Sequence, residues 1–594
     1  AKIVLRKDKR FLHGDVRFSI ILVPSIQSHF QILKINISKI PGFRRDNLTI
    51  LYFCVHGKAV KGSSKPSSIP GPDPTTKEDG NLADISRAGS LHEYLLDIHK
   101  QYGPIASFWM GQQFVASIAS ADLFKEHQNV FDRPPELFKL FEILIGPKSI
   151  QYANKQDGRT RRKNYDVALT HDAIKKYYET FQIIANDLSK KFSSLVKEEH
   201  IALSQYMSAY ALKVVLLTLM GDTFKDDKEV LEFRRLYDIT WAETEKQLTD
   251  VPEPDSQRMK TFKDAKDKMY KIIKRTLDHR KKNPAKKGEL LLIDILIENC
   301  QDEDTLLSET FSFIIGGFHT TGSLLTWCFY FLATHQDIQD KVYKEIKSVL
   351  GNDDVDHTNI NDLVYLRQVI DETLRCAVIA PWAARFQDFD SELGGHKIPK
   401  NTPVIHALGV TQQDEAVWPV PNRFDPDRFS EENSKKRPSL AFQPFGFAGK
   451  RICPGYRFAY AEATVCFVSL LRKFKVNMVE GQVITPVHGL VTYPSEEILR
   501  ANLEKCSDLT NIAVDVSISF SFNAFPYGAL EFTVFVCQLI CGRLKSPPMK
   551  IRIPISEEVT DAAVAEAIQK ICMLLSEKGT AAATVAAAAT HVYF

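Results

Sequence analysis

The stretch Phe-Gly-Phe-Ala-Gly-Lys-Arg-Ile-Cys-Pro-Gly at residues 445–455 leaves the chain few options. Gly449 and Gly455 frame Cys453, with Arg451 two positions before it and Pro454 directly after. Proline suits the first turn of a helix, and "YRFAYAEATVCFVSLLRKF" continues with helical spacing. A glycine-rich loop thus delivers one sulfur to a helix amino terminus, where free N–H groups and the dipole favour a thiolate. Cys453 is a buried small hydrophobe, half of a disulfide, or a presented thiolate. The ten cysteines show no CxxC pair and no regular spacing, which argues against a disulfide framework or a zinc site.

Three further motifs leave similar choices. In "DETLR", Glu372 and Arg375 share one helical face, as an ordinary solvated pair or as part of a buried network. In "PNRFDPDRF", Arg428 could close on that pair, making a charged triad that must be matched if it is buried. In "FIIGGFHTTG" (313–322), two glycines and two threonines interrupt an apolar helix, a combination poor for helix stability. Thr320 turning its hydroxyl to the Gly316 carbonyl would open a groove beside the helix. The alternative is a small-residue contact between helices.

Composition divides the chain. Residues 1–66 carry thirteen Lys or Arg against three Asp, a local net of +10, whereas the whole chain is only +3. The small overall charge argues against a nucleic-acid binder. The basic block reads as a membrane-contacting or targeting segment, or as an unrelated extension. A Ser/Pro/Gly linker at 62–74 follows. Long helical patterns then dominate to about residue 380, such as "THQDIQDKVYKEIKSVLG" with Ile338, Val342, Ile346 and Val349 on one face. Strand-like pieces are few: one after Gly103-Pro104, then 394–410 and 488–494. Residues 507–594 read as a small ββα appendage, its helix within "SEEVTDAAVAEAIQKICMLLSEKG", ending in an alanine-rich tail. No run of 18 apolar residues is present, and the amino terminus lacks a signal-peptide pattern.

A Gly-Gly-x-x-Thr-Thr helix, then Glu-x-x-Arg, then Pro-x-Arg-Phe, then Gly-x-Arg-x-Cys-x-Gly, in that order, resembles the cytochrome P450 superfamily over residues 67–506. Within it, "GSLHEYLLDIHKQYGPIASFWMG", "WPVPNRFDPDRF" and "GFAGKRICPGYRFAY" look most like the orphan family 20. The resemblance implies a mainly α fold with small β-sheets, holding haem b (iron protoporphyrin IX) on an axial thiolate from Cys453. Gly449 and Gly455 would let the loop lie against the porphyrin. Arg451 and Arg385 would meet the propionates, and Glu372, Arg375 and Arg428 would form a structural triad. Thr320, with Gly316, Gly317 and His319, would line the oxygen-binding groove. The implied activity is monooxygenation of a small apolar substrate with electrons from an NADPH-dependent flavoprotein reductase, at the endoplasmic reticulum membrane.

The chain also departs from the family. Gly446 stands seven before the cysteine, where an aromatic is usual, leaving Phe447 one position later to cover the thiolate. His319 replaces the usual Asp or Glu beside Thr320, which reverses the charge logic there. Arg161 falls where a tryptophan is usual, so Arg161 or Arg162 is a further propionate partner. The expected hydrophobic anchor before the proline hinge has the basic 1–66 segment in its place, and 507–594 resembles nothing in the family. These departures keep open a haem protein with altered oxygen activation (a sensor, isomerase or binder), and a non-enzymatic interaction protein whose two ends matter most.

Overall fold

The computed structural model describes residues 65–505, with breaks at 196–199, 225, 248–251, 287–288 and 496–499, and beyond these only the backbone of short strands. Two compact units are distinguished, Ala1–Ala59 and Val60–Phe594. In the first, Ile3–Lys7 pairs antiparallel with Phe18–Leu22. Near the carboxy terminus, Ser517–Ala524, Ala529–Cys537 and Met549–Pro554 form an antiparallel sheet in that order. Where a ββα arrangement is expected, the sheet thus has three strands. The helix expected after them lies outside the described residues.

Helices build most of the remainder of the larger unit. We label those that matter α1 (Leu91–Tyr102), α2 (Lys155–Tyr165), α3 (Leu203–Val215), α4 (Asp227–Lys246), α5 (Gln336–Leu350), α6 (Val364–Ala377) and α7 (Tyr456–Leu471), and call Glu303–Thr334 the long helix. Local chemistry sets their ends. The Ser90 hydroxyl accepts the Glu93 N–H at 3.1 Å to start α1, and Asp302 accepts the Thr305 N–H at 2.9 Å to start the long helix. Ile338, Val342 and Ile346 are buried on α5 as their spacing predicts. Val349 is exposed instead, and Leu350 continues the i+4 stripe inward.

One four-stranded sheet flanks the helices. It comprises β1 (Ile105–Met110), β2 (Gln113–Ile118), β3 (Ala383–Arg385) and β4 (Val404–His406), in the order β1-β2-β4-β3. Gly111, at φ +59°, turns the β1–β2 hairpin. β4 runs parallel to β2 and antiparallel to β3, pairing Val404 with both Ala116 and Arg385. That register delivers Arg385 to the edge of the helical body.

Leu203–Met220 is the one helical stretch among the described residues that is long and apolar enough to cross a membrane, and it is mostly buried within the protein. It packs along the long helix where two glycines clear the way. A Cβ on Gly317 would stand 2.8 Å from Val215 Cγ2, and one on Gly322 would stand 2.9 Å from Ser208 Cα.

Burial also leaves a pH signature. It pushes the imidazoles of His92 and His319 down to about 3 and those of His99 and His127 to about 4, with His406 also well below the ordinary value. Unfolded histidines bind protons near pH 6.5, so the unfolded state takes up more protons between that pH and about 4. Folding stability should therefore fall with acidification across this window, by about 1.4 kcal/mol per pH unit for each titrating imidazole. Urea unfolding midpoints measured from pH 7 to 4 should show the decline, and a level profile would contradict the neutral buried histidines.

Candidate active site

A cavity of about 470 Å³ lies between the long helix, β3 and the 444–455 loop, within the range of roughly 300–1,000 Å³ usual for small-molecule and cofactor sites. Its walls are largely apolar, with Phe138, Phe141, Phe313 and Trp382 among them. Of the five cysteines among the described residues, Cys453 alone lines it. Cys466, thirteen residues further on, is buried inside α7 and does not reach the cavity.

The Cys453 N–H donates to the Phe445 carbonyl at 2.9 Å, closing the loop before α7 begins. Gly446 and Gly455 line the cavity beside it, and a Cβ on Gly455 would find only the cysteine sulfur, at 3.9 Å. Gly449 differs from expectation. Its backbone sits at φ +65°, and a Cβ there would collide with Phe131 Cα and the Val130 carbonyl, both at 2.4 Å. Its missing side chain admits a crossing chain segment, not the cofactor. Phe447 also turns away, packing against Phe124 and His406 with ring centroids 4.9 Å apart in each case. Phe445 is the aromatic residue of this loop that faces the cavity. Burial raises the Cys453 thiol above its ordinary value, outweighing the Gly455 N–H and the charges of Arg162 and Arg133. The helix terminus alone therefore does not make a free thiolate here.

Four arginines converge on the same cavity: Arg133, Arg162, Arg385 and Arg451. Arg162 is matched by Asp166 at 2.8 Å and donates to the Ile452 carbonyl, also at 2.8 Å. The others have little anionic company, and no Asp or Glu lines the cavity among the described residues. Burial, then mutual repulsion, pushes their guanidinium groups down to about 10 for Arg133, about 9 for Arg385 and about 8 for Arg451. The Nε atoms of Arg385 and Arg451 are buried without a hydrogen-bond partner. Such a set calls for anions. Arg161 is not part of it; it pairs with Glu309 at 2.9 Å and Asp157 at 2.9 Å.

The long helix supplies another wall through Ser312, Gly316, Gly317 and Thr320. The Thr320 hydroxyl donates to the Gly316 carbonyl at 3.1 Å, and Thr321 does the same to Gly317 at 2.9 Å. The helix stays α-helical through this stretch. Gly316 is open, with nothing within 4 Å of an added Cβ, whereas Gly317 answers to Val215. Both readings of the glycine pair therefore hold, one residue each. His319 does not line the cavity. One residue from Thr320 is about 100° around the helix, and its ring is hydrogen-bonded to the Tyr237 hydroxyl through Nδ1 and lies 4.2 Å from Trp241.

Glu372, Arg375 and Arg428 come together away from the cavity. Arg375 grips both carboxylate oxygens of Glu372, at 2.7 and 2.8 Å, and Arg428 Nε is 3.4 Å from Glu372 Oε1. Glu372 and Arg375 are 0% exposed.

The sequence model of the family Cytochrome P450 matches residues 70–500. Cytochrome P450 20A1 of Bos taurus is 35% identical over 440 residues, covering 73% of this chain and 93% of that protein. Its Homo sapiens counterpart is 34% identical over 440 residues with the same coverage, and cytochrome P450 6a9 of Drosophila melanogaster is 34% identical over 449 residues, covering 70% and 88%. The chain belongs to the cytochrome P450 family. It is accordingly a haem-dependent oxidoreductase related to family 20, of a family that carries haem b on an axial cysteine thiolate.

The residues present fit that cofactor. A flat ring with two carboxylates would meet the arginine set at one edge, and its iron would meet a sulfur. As a cytochrome P450, the chain shows which signals were hidden in its sequence. Arg133 sits in "FDRPP", where two prolines break any periodicity that would assign it a face. Its guanidinium reaches Gln151, another cavity residue that no local pattern marks.

Proposed function

We propose that this cytochrome P450 is a haem-thiolate monooxygenase that inserts one oxygen atom of O₂ into a small apolar substrate. The observation that carries this reading is one cavity lined by Cys453, by Gly316 and Thr320, and by four arginines of which Arg162 alone is matched by a carboxylate, with no Asp or Glu in the lining among the described residues. In this reading Cys453 is the axial ligand, and Arg133, Arg162, Arg385 and Arg451 hold the propionates. Bound haem would supply the iron at which O₂ is reduced and cleaved, aided by electron density from the thiolate. Gly316 leaves room beside the long helix, and the Thr320 hydroxyl, parked on the Gly316 carbonyl, is free to turn and donate a proton into that space. Phe138, Phe141, Phe313 and Trp382 exclude water and favour an apolar substrate.

Electrons come from an NADPH-dependent flavoprotein reductase, in keeping with the family. We place the enzyme at the endoplasmic reticulum membrane, supported by the family likeness and the +10 charge of residues 1–66. We take 1–66 and 507–594 as extensions around a haem domain at 67–506.

One observation favours a second reading, a haem protein without efficient oxygen activation: His319, where a carboxylate is usual, is held by Tyr237 away from the cavity. Adding small apolar ligands to the haem-loaded chain should shift its Soret band, and a supplied reductase should drive NADPH oxidation that rises with the ligand. Ligand shifts without NADPH oxidation would overturn the monooxygenase in favour of the second reading.

A further inference from the structure

Glu309 lies on the long helix, three, seven and eleven residues before Ser312, Gly316 and Thr320, so all four share one face. Its carboxylate is 0% exposed, yet it is not isolated. Arg161 Nη1 donates to Oε1 at 2.9 Å, and the Ile150 N–H donates to Oε2 at 2.8 Å. Next to Ile150, the Ser149 hydroxyl is 2.7 Å from that of Ser312, and Ser312 lines the cavity. The Ser312 hydroxyl donates to the Ser308 carbonyl at 2.6 Å, which leaves Ser149 as the donor between the two hydroxyls; a proton moves inward when Ser312 turns its own O–H from that carbonyl into the cavity and accepts the next one from Ser149. The outer end reaches solvent through Arg161 (22% exposed) and Asp157 (59% exposed).

We propose that Glu309, Ser149 and Ser312 form a proton route from solvent into the cavity, replacing the carboxylate missing at position 319. The inference rests on the haem reading above, which supplies the route's destination. A proton leaves the Glu309 carboxyl, passes by a bridging water to Ser149 and then to Ser312, and enters the cavity near Gly316 and Thr320. Glu309 is then reprotonated from the Arg161–Asp157 side; no electrons move. Burial pushes the Glu309 carboxyl up to about 7, against the Ile150 N–H and Arg161 and with help from Asp157. Tyr165 and Cys300 are the other titratable groups facing it, and burial raises both above their ordinary values. Glu309 thus exchanges its proton near neutrality.

The same contacts also pin residues 146–154 to the long helix, a structural role the test must separate. Infrared spectroscopy reads the Glu309 carboxyl directly, and carbon monoxide serves as the cavity probe. The unloaded chain should show a carboxyl band that titrates near pH 7 and is absent in Glu309→Gln. In the haem-loaded, CO-bound chain, photolysis of CO should perturb that band. Ser312→Ala should keep the titration but shrink the perturbation at least tenfold. An undiminished perturbation in Ser312→Ala, or none in the wild type, would overturn the route. Should Glu309→Gln not fold, the Ser312→Ala comparison decides alone. A chain that titrates at Glu309 but gives no CO absorption at all would overturn the haem reading and leave the route without a destination.

Discussion

Arg375→Ala should cost the folded chain about 3–5 kcal/mol, the loss expected when one partner of a buried ion pair is removed. Glu372 would keep its charge at 0% exposure and lose two charge-assisted hydrogen bonds. Arg428, its Nε 3.4 Å away and its Nη2 held by the Pro419 and Val420 carbonyls at 2.7 and 2.9 Å, would be the cation left beside it. The damage spreads because Arg375 also donates to the carbonyls of Pro421 at 2.7 Å and Gln412 at 3.1 Å, and Glu372 accepts the Asp425 N–H at 2.9 Å. These bonds tie α6 to the 412–428 segment. Against a usual total stability of about 5–15 kcal/mol, the loss brings a domain close to unfolding. Arg375→Lys keeps the charge without the planar fork and should still be clearly destabilised. Urea unfolding of the three proteins measures the effect. A midpoint for Arg375→Ala within error of the wild type would contradict a buried, structurally required triad.

Contacts within one turn of a helix were legible as to partner: spacing puts the Thr320 hydroxyl by the Gly316 carbonyl and Glu372 by Arg375, while the burial of the second pair and its third member, Arg428, depend on distant parts of the chain. What a missing side chain makes room for was not legible. Gly449 and Gly317 carry the right residue type, but their neighbours, Phe131 and Val215, are brought in by distant parts of the chain. A family pattern marks both positions without saying which atoms approach. His319 and Phe447 show the same limit in another form, since each is one residue from a cavity-lining position and that single step turns the side chain elsewhere. The convergence of Arg133 and Arg385, 252 positions apart, depends on the β3–β4 register and could not be read locally.

Cys453→Ser is the second large effect and the most direct test. None of Cys300, Cys328, Cys376 and Cys466 lines the cavity, so no other described sulfur can stand in. Serine preserves the N–H that donates to the Phe445 carbonyl, so the loop and the fold should survive, unlike in Arg375→Ala. The decisive measurement is the absorption spectrum of the reduced, carbon-monoxide-bound protein, recorded for the wild type and Cys453→Ser with unfolding midpoints alongside. The expected result is a thiolate-type Soret band in the wild type that is lost in Cys453→Ser while the midpoint barely moves. A thiolate-type band that survives the substitution would contradict Cys453 as the iron's ligand.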